Sequence, residues 1–153
     1  MVFHSTVIFV SDIEISKKFY IQYLGFSIAQ DFGENVILNN GLTLWEINSD
    51  HIISKKLETT NESNRFELYF ESDNINEIFK TLNTAGIKFL HTLQEEPWGQ
   101  KTIRFFDPDH HLLEIGEPLD VFVNALSKDG LTPAQISKKS GIPLEEVVGL
   151  IWK

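Results

Sequence analysis

Cysteine is absent from all 153 residues. That excludes disulfides, thiolate nucleophiles and cysteine-ligated zinc, and it fits a reducing, cytoplasmic setting. Long apolar runs are missing too. No stretch approaches the roughly 18 residues that cross a bilayer. The opening MVFHSTVIFVSD has no basic segment ahead of its short apolar run, so it reads as a strand and not as a signal peptide. Positive charge is scarce: 13 Lys and Arg stand against 22 Asp and Glu, a formal net charge of −9. Such a surface repels nucleic-acid phosphates. Neither a nucleic acid nor a membrane is expected as a partner. Aromatics, by contrast, are plentiful. Twelve phenylalanines in so short a chain predict a Phe-rich core or pocket.

The strongest positive signal is an internal repeat. FVSD at 9–12 recurs as FESD at 70–73, a spacing of 61 residues. A glycine follows each Asp at the same offset of thirteen: Gly25 and Gly86. An alternating apolar run precedes each Ser-Asp, and a helix-period run follows it. Asp12 and Asp73 are placed to cap helices over 13–24 and 74–85. Ile15, Phe19 and Leu24 would line the buried face of the first helix, and Ile75, Ile78, Phe79 and Leu82 that of the second. Gly25 and Gly86 suit the left-handed position that ends a helix. Three short strands follow in each copy, at about 27–31, 36–38 and 42–48, then 88–93, 102–106 and 112–116. Asn39-Asn40-Gly41 and Asp107-Pro108-Asp109 make turns. The pattern is βαβββ, twice, over about 3–48 and 65–117. A polar linker at 51–64 joins the copies. Residues 119–153 form a helical C-terminal extension, with Thr132-Pro133 as a helix start and Gly141 as a stop.

The stretch VSDIEISKKFYIQYLGF at 10–26 resembles the opening of a vicinal-oxygen-chelate module, as in glyoxalases, bleomycin-resistance proteins and extradiol dioxygenases. EEPWGQKTIRFFDPDHHLLEIGEP at 95–118 is similar to the close of the second module. The resemblance covers roughly residues 3–118. It implies an α+β fold: two tandem βαβββ modules forming a curved eight-stranded mixed sheet around a cavity, with the helical tail appended. It also implies a homodimer. A shared fold does not transfer an activity, so function must come from the site.

In metal-dependent relatives the ligands lie on the first and fourth strands of each module. Here the implied first-strand positions, seven residues before each Asp, hold Ser5 and Phe66 rather than histidine. Serine is a poor ligand for a transition metal and phenyl is none. On the fourth strands WEI at 45–47 matches LEI at 113–115, which puts Glu46 and Glu114 at the ligand positions. His4 is one residue from the expected place, and a β-bulge could restore it. His110 and His111 follow the DPD turn, where a solvated turn is the favoured reading. Trp98, in the Pro97-Trp98-Gly99-Gln100 loop, either lies over a flat ligand or plugs the end of the sheet. Arg104 faces inward or outward depending on strand register.

The expected site is therefore Ser5, Glu46, Phe66, Trp98, Arg104 and Glu114. The leading expectation is metal-independent binding of a small aromatic or hydrophobic molecule, with no cofactor. The alternative is a lyase, isomerase or dioxygenase-type enzyme using Glu46 and Glu114, with one divalent metal or with one carboxylate as base. A third reading is an interaction module whose tail mediates assembly. The tail's pattern resembles a helix-turn-helix, but PLEEVVGLIWK lacks the Arg, Asn or Gln that read bases.

Overall fold

The computed structural model describes residues 5–47, 49 and 67–151. His4, the expected linker at 51–64 and Phe66 lie outside the described residues. The chain divides into two compact units, one of residues 1–65 with the turn 107–111, the other of 66–106 with 112–153.

The first unit runs β1 (Thr6–Val10), α1 (Ile13–Lys18) with a π-helical turn Phe19–Tyr23, β2 (Ile28–Asp31), β3 (Asn35–Leu38) and β4 (Leu42–Glu46). The sheet order is β1-β4-β3-β2, with β1 parallel to β4 and the rest antiparallel. Asp12 caps α1 as expected, accepting the Ile15 N–H at 2.9 Å. Helix α1 packs on β4. Its buried face differs from expectation. Ile15 is 54% exposed, while Ile13, Ser16, Phe19 and Tyr20 are buried. The helix begins at Ile13, so positions three and seven residues on face the sheet. The wider π turn then lets the consecutive Phe19 and Tyr20 both turn inward, their rings meeting edge to face at 5.1 Å. Below them lie Ile8, Val10, Val36, Leu38, Leu42 and Leu44, all buried.

The second unit repeats the plan with β5 (Leu68–Glu71), α2 (Ile75–Thr84), β6 (Phe89–Glu95), β7 (Lys101–Phe106) and β8 (Leu112–Gly116). Its sheet order, β5-β8-β7-β6, matches the first, again with one parallel pair. The eight expected strands are thus present as two four-stranded mixed sheets. Gly25 and Gly86 both take φ near +70°, as their helix-ending role requires. The second helix starts one residue later than the FVSD/FESD repeat implies. Its N-cap is Asn74, not Asp73, and no side chain caps it. The core is Ile75, Leu82, Ile103, Phe105, Leu113 and Ile115.

The tail forms α3 (Leu119–Lys128), α4 (Pro133–Ser140) and α5 (Leu144–Ile151). Phe122, Val123, Leu126, Ile136 and Val147 bury one another in a small core. Thr132 and Gln135 form the capping box that starts α4, and Gly141 at φ 78° ends it. The tail meets the loop between β6 and β7 through Leu126, which lies where a side chain on Gly99 would stand; an added Cβ would sit 2.8 Å from it. Lys139 also pairs with Glu95 at 2.9 Å.

Candidate functional site

Strand alternation separates a helix-covered face from an open face in each sheet. In β8, Leu113 and Ile115 face α2, so Glu114 points to the open face. Tyr69 stands opposite it on β5 and Arg104 on β7. The register that was undetermined in the sequence thus sets Arg104 beside Glu114. The guanidinium donates through Nη2 to Glu114 Oε2. Nε donates to Glu67 at 3.0 Å, and Nη1 to Glu96 at 2.8 Å and to His91 Nε2 at 3.0 Å. His91 Nδ1 sits 2.9 Å from the Thr92 carbonyl, so that nitrogen carries the proton and Nε2 accepts from Arg104. Thr102 adds a hydroxyl donor to Glu96 at 2.8 Å.

Three carboxylates around one guanidinium share their charge unequally. Burial pushes Glu114 up to about 7, and a hydrogen bond with Glu67 pushes the same way, against the pull of Arg104. Glu114 therefore holds a proton that a surface carboxylate would have lost. Burial opposes the charge on Glu67 as well, but its hydrogen bonds to Glu114 and Arg104 outweigh that and hold it below the usual carboxylate range. Glu96 is lowered in the same manner, burial being overcome by Thr102 and Arg104.

A second network lies along the same face. Trp98 Nε1 donates to Gln100 Oε1 at 3.0 Å. Gln100 Nε2 donates to the Tyr69 hydroxyl at 3.0 Å and to the Glu117 carbonyl at 2.7 Å. Tyr69 in turn donates to Glu71 at 3.1 Å. A Cβ on Gly116 would meet Gln100 at 2.7 Å, so glycine there admits the amide. Trp98 is half-buried and tethered through its indole N–H.

Glu46 departs from expectation. Leu42 and Leu44 face α1, and Glu46 follows them onto that face. Its Oε2 accepts the Ile13 N–H at 2.7 Å, holding the N-terminus of α1. Trp45 opposes Phe9 and takes the open face, their rings 6.0 Å apart. The WEI/LEI match in sequence is one residue out of phase with the strand pairing, and one residue reverses the face. Glu46 and Glu114 are therefore not equivalent. Ser5 is half-buried just ahead of β1.

The histidines follow the turn. His110 is exposed with φ 64°, a left-handed position. His111 Nδ1 bonds the buried Asp107 carboxylate at 2.8 Å, and the Tyr20 hydroxyl donates to the same oxygen at 2.9 Å. Burial works against the His111 imidazolium, but the hydrogen bond and charge of Asp107 outweigh it and raise its pKa. Asp109 accepts the Ser11 N–H at 3.0 Å, so this turn is fastened to the start of α1.

The family described as "Glyoxalase-like domain" matches residues 3–120. The chain belongs to this glyoxalase-like family. The uncharacterized protein YraH of Bacillus subtilis (strain 168) is 28% identical over 116 residues, covering 69% of this chain and 90% of its own. The crystal structure of a protein of unknown function from Agrobacterium tumefaciens str. C58 is 33% identical, with a TM-score of 0.66, covering 78% of this chain and 95% of that one. A glyoxalase-related enzyme from Fulvimarina pelagi is 22% identical with a TM-score of 0.61, covering 76% and 89%, a likeness of fold alone. The match ends at the start of α3, so the three tail helices stand almost wholly outside the glyoxalase-like region.

The metal that the vicinal-oxygen-chelate resemblance implies does not fit the side chains described. Glu46 is committed to a helix terminus, Ser5 is a weak donor, and Glu114 is buried and bonded to an arginine. Among the described residues no group of three or more His, Asp or Glu is arranged to hold a metal ion. No helix among them is long and apolar enough to cross a membrane.

The residues that sequence reasoning missed are Glu67, His91, Glu96 and Tyr69. A signal for two of them was present. In RFELYFESD, Glu67, Tyr69 and Glu71 alternate with Leu68 and Phe70, the period-2 mark of one polar and one apolar face.

Proposed function

We propose that this chain is a metal-independent small-molecule-binding member of the glyoxalase-like family. The ligand is a small aromatic or hydrophobic molecule, held against the open face of the second sheet. Trp98 and Tyr69 supply ring surface, and the Arg104–Glu114 pair supplies polar contact. The observation that carries the reading is the guanidinium bonded to Glu114, the strand position where a metal ligand was implied. A homodimer in the cytoplasm is part of the same proposal.

The test is a titration of planar aromatic compounds followed by calorimetry, with and without chelator. A saturable ligand whose affinity ignores chelator and falls about tenfold in Trp98→Ala, some 1.4 kcal/mol, is expected. Binding that vanishes with chelator, or that Trp98→Ala leaves unchanged, contradicts the reading.

The raised pKa of Glu114 favours a second reading, an enzyme with Glu114 as general acid or base. Turnover of any such ligand should then follow a pH profile with a limb near 7 that Glu114→Gln abolishes.

A further inference from the structure

We infer that Arg104 is the resident cation of this site: its guanidinium holds the place among Glu67, Glu96, Glu114 and His91 that a divalent ion would need, and so makes the face refuse metals. The inference rests on the metal-independent reading and assigns that property to one side chain.

The acceptors around Arg104 are the oxygen and imidazole donors that divalent cations use. Four of the five guanidinium N–H groups are committed to them. The acceptors sit on three different nitrogens, which keeps them too far apart to close around one ion as they stand. Arg104 is 20% exposed, against 5% for Glu114 and 10% for Glu96, so solvent reaches the cation more than two of its partners. Arg104 and Glu114 are directly opposed on β7 and β8, where side chains lie closest across a sheet. An entering ion would compete with a cation already tethered beside its ligands, and a tethered competitor acts at a high effective concentration. Without the guanidinium, three carboxylates would face one another with no compensating charge. They must then separate, take up protons or take up a cation.

The experiment measures Mn²⁺ and Zn²⁺ binding to the full chain by calorimetry and native mass spectrometry, with circular dichroism to confirm folding. Wild type and Arg104→Lys, which keeps the charge, should take up no stoichiometric metal. Arg104→Ala and Arg104→Gln should each bind one ion per chain, at least about tenfold more tightly than wild type. Adding Glu114→Gln to either should remove the gain. Stoichiometric metal on the wild type overturns both this inference and the metal-independent reading. A metal-free wild type with folded Arg104→Ala and Arg104→Gln that gain nothing overturns this inference alone.

Discussion

The two sheets share strand order, parallel pair and helix placement, yet their open faces carry different chemistry. On the first sheet that face holds Val7, Phe9, Ile37, Thr43 and Trp45, with the amides Gln30 and Asn35 paired beside Ile37 and Trp45 and no charged residue among them. On the second it holds Tyr69, Glu71, Thr102, Arg104 and Glu114, tied by hydrogen bonds and ion pairs. The helix-covered faces diverge little: Leu44 and Leu113 both stand fully buried on the fourth strand. The βαβββ plan is therefore maintained by the covered faces, while the open faces were free to specialise. The Thr43 hydroxyl, buried without a hydrogen-bond partner, has no physical account in this comparison.

The largest expected effect tests the shared part. Leu44→Ala and Leu113→Ala each remove a fully buried leucine. Both should lose about 2–5 kcal/mol in denaturant unfolding. A large loss in one and almost none in the other would break the symmetry of the covered faces.

Next is the open face. Arg104→Ala leaves three carboxylates without their cation. Breaking a buried pair costs about 3–5 kcal/mol, and partial exposure brings the expectation to about 1–3 kcal/mol. The change of a carboxylate on the helix-covered face of the first sheet is smaller. Glu46→Gln weakens a charged cap on α1 and should cost about 0.5–1 kcal/mol. Equal effects of the two substitutions would mean that the ionic cluster adds nothing beyond a helix cap.

These contrasts show what was readable beforehand. Strand alternation, the helix caps at Asp12 and Thr132 and the glycine stops at Gly25, Gly86 and Gly141 are local signals, and the structure has them. Face assignments depend on register, which is set by long-range pairing. A one-residue phase error put Glu46 opposite its true face, and the same slip placed the second cap at Asp73 instead of Asn74. Ile15 was misassigned although the helix start was read correctly, because the face that meets the sheet runs through Ile13, Ser16 and Tyr20, and Ser16 is less apolar than the exposed Ile15. Arg104 could be named but not oriented, and its partners Glu96 and His91 come from a loop and a bulged strand with no periodic mark.

The tail belongs to the second half of the comparison only. Truncation after Glu117 removes five buried apolar residues that pack chiefly on one another, so most of their burial energy leaves with them. The remaining domain loses the cover of Leu126 over Gly99. A loss of about 1–2 kcal/mol is expected from that one side chain. Unchanged melting and mass would make the tail an independent module.

The last test is the pH dependence. Glu114 is raised from 4.5 to about 7, so its protonated form favours the folded state. That contribution is full below 4.5 and is lost as pH rises through about 7. Glu67 and Glu96 are lowered, so their contributions act oppositely and are lost as pH falls through their folded values. The stability difference between wild type and Glu114→Gln isolates the first effect. It should shift against wild type as pH rises from 4.5 to 7. A flat difference would mean Glu114 titrates as an ordinary carboxylate.

Native mass spectrometry of the protein purified without added metal, before and after chelator, bears most directly on the claim that an arginine stands in for a metal here. The expected spectrum shows no stoichiometric metal and no mass change on chelation. One zinc, nickel, iron or manganese per chain, lost in Glu114→Gln while Arg104 is intact, would contradict it.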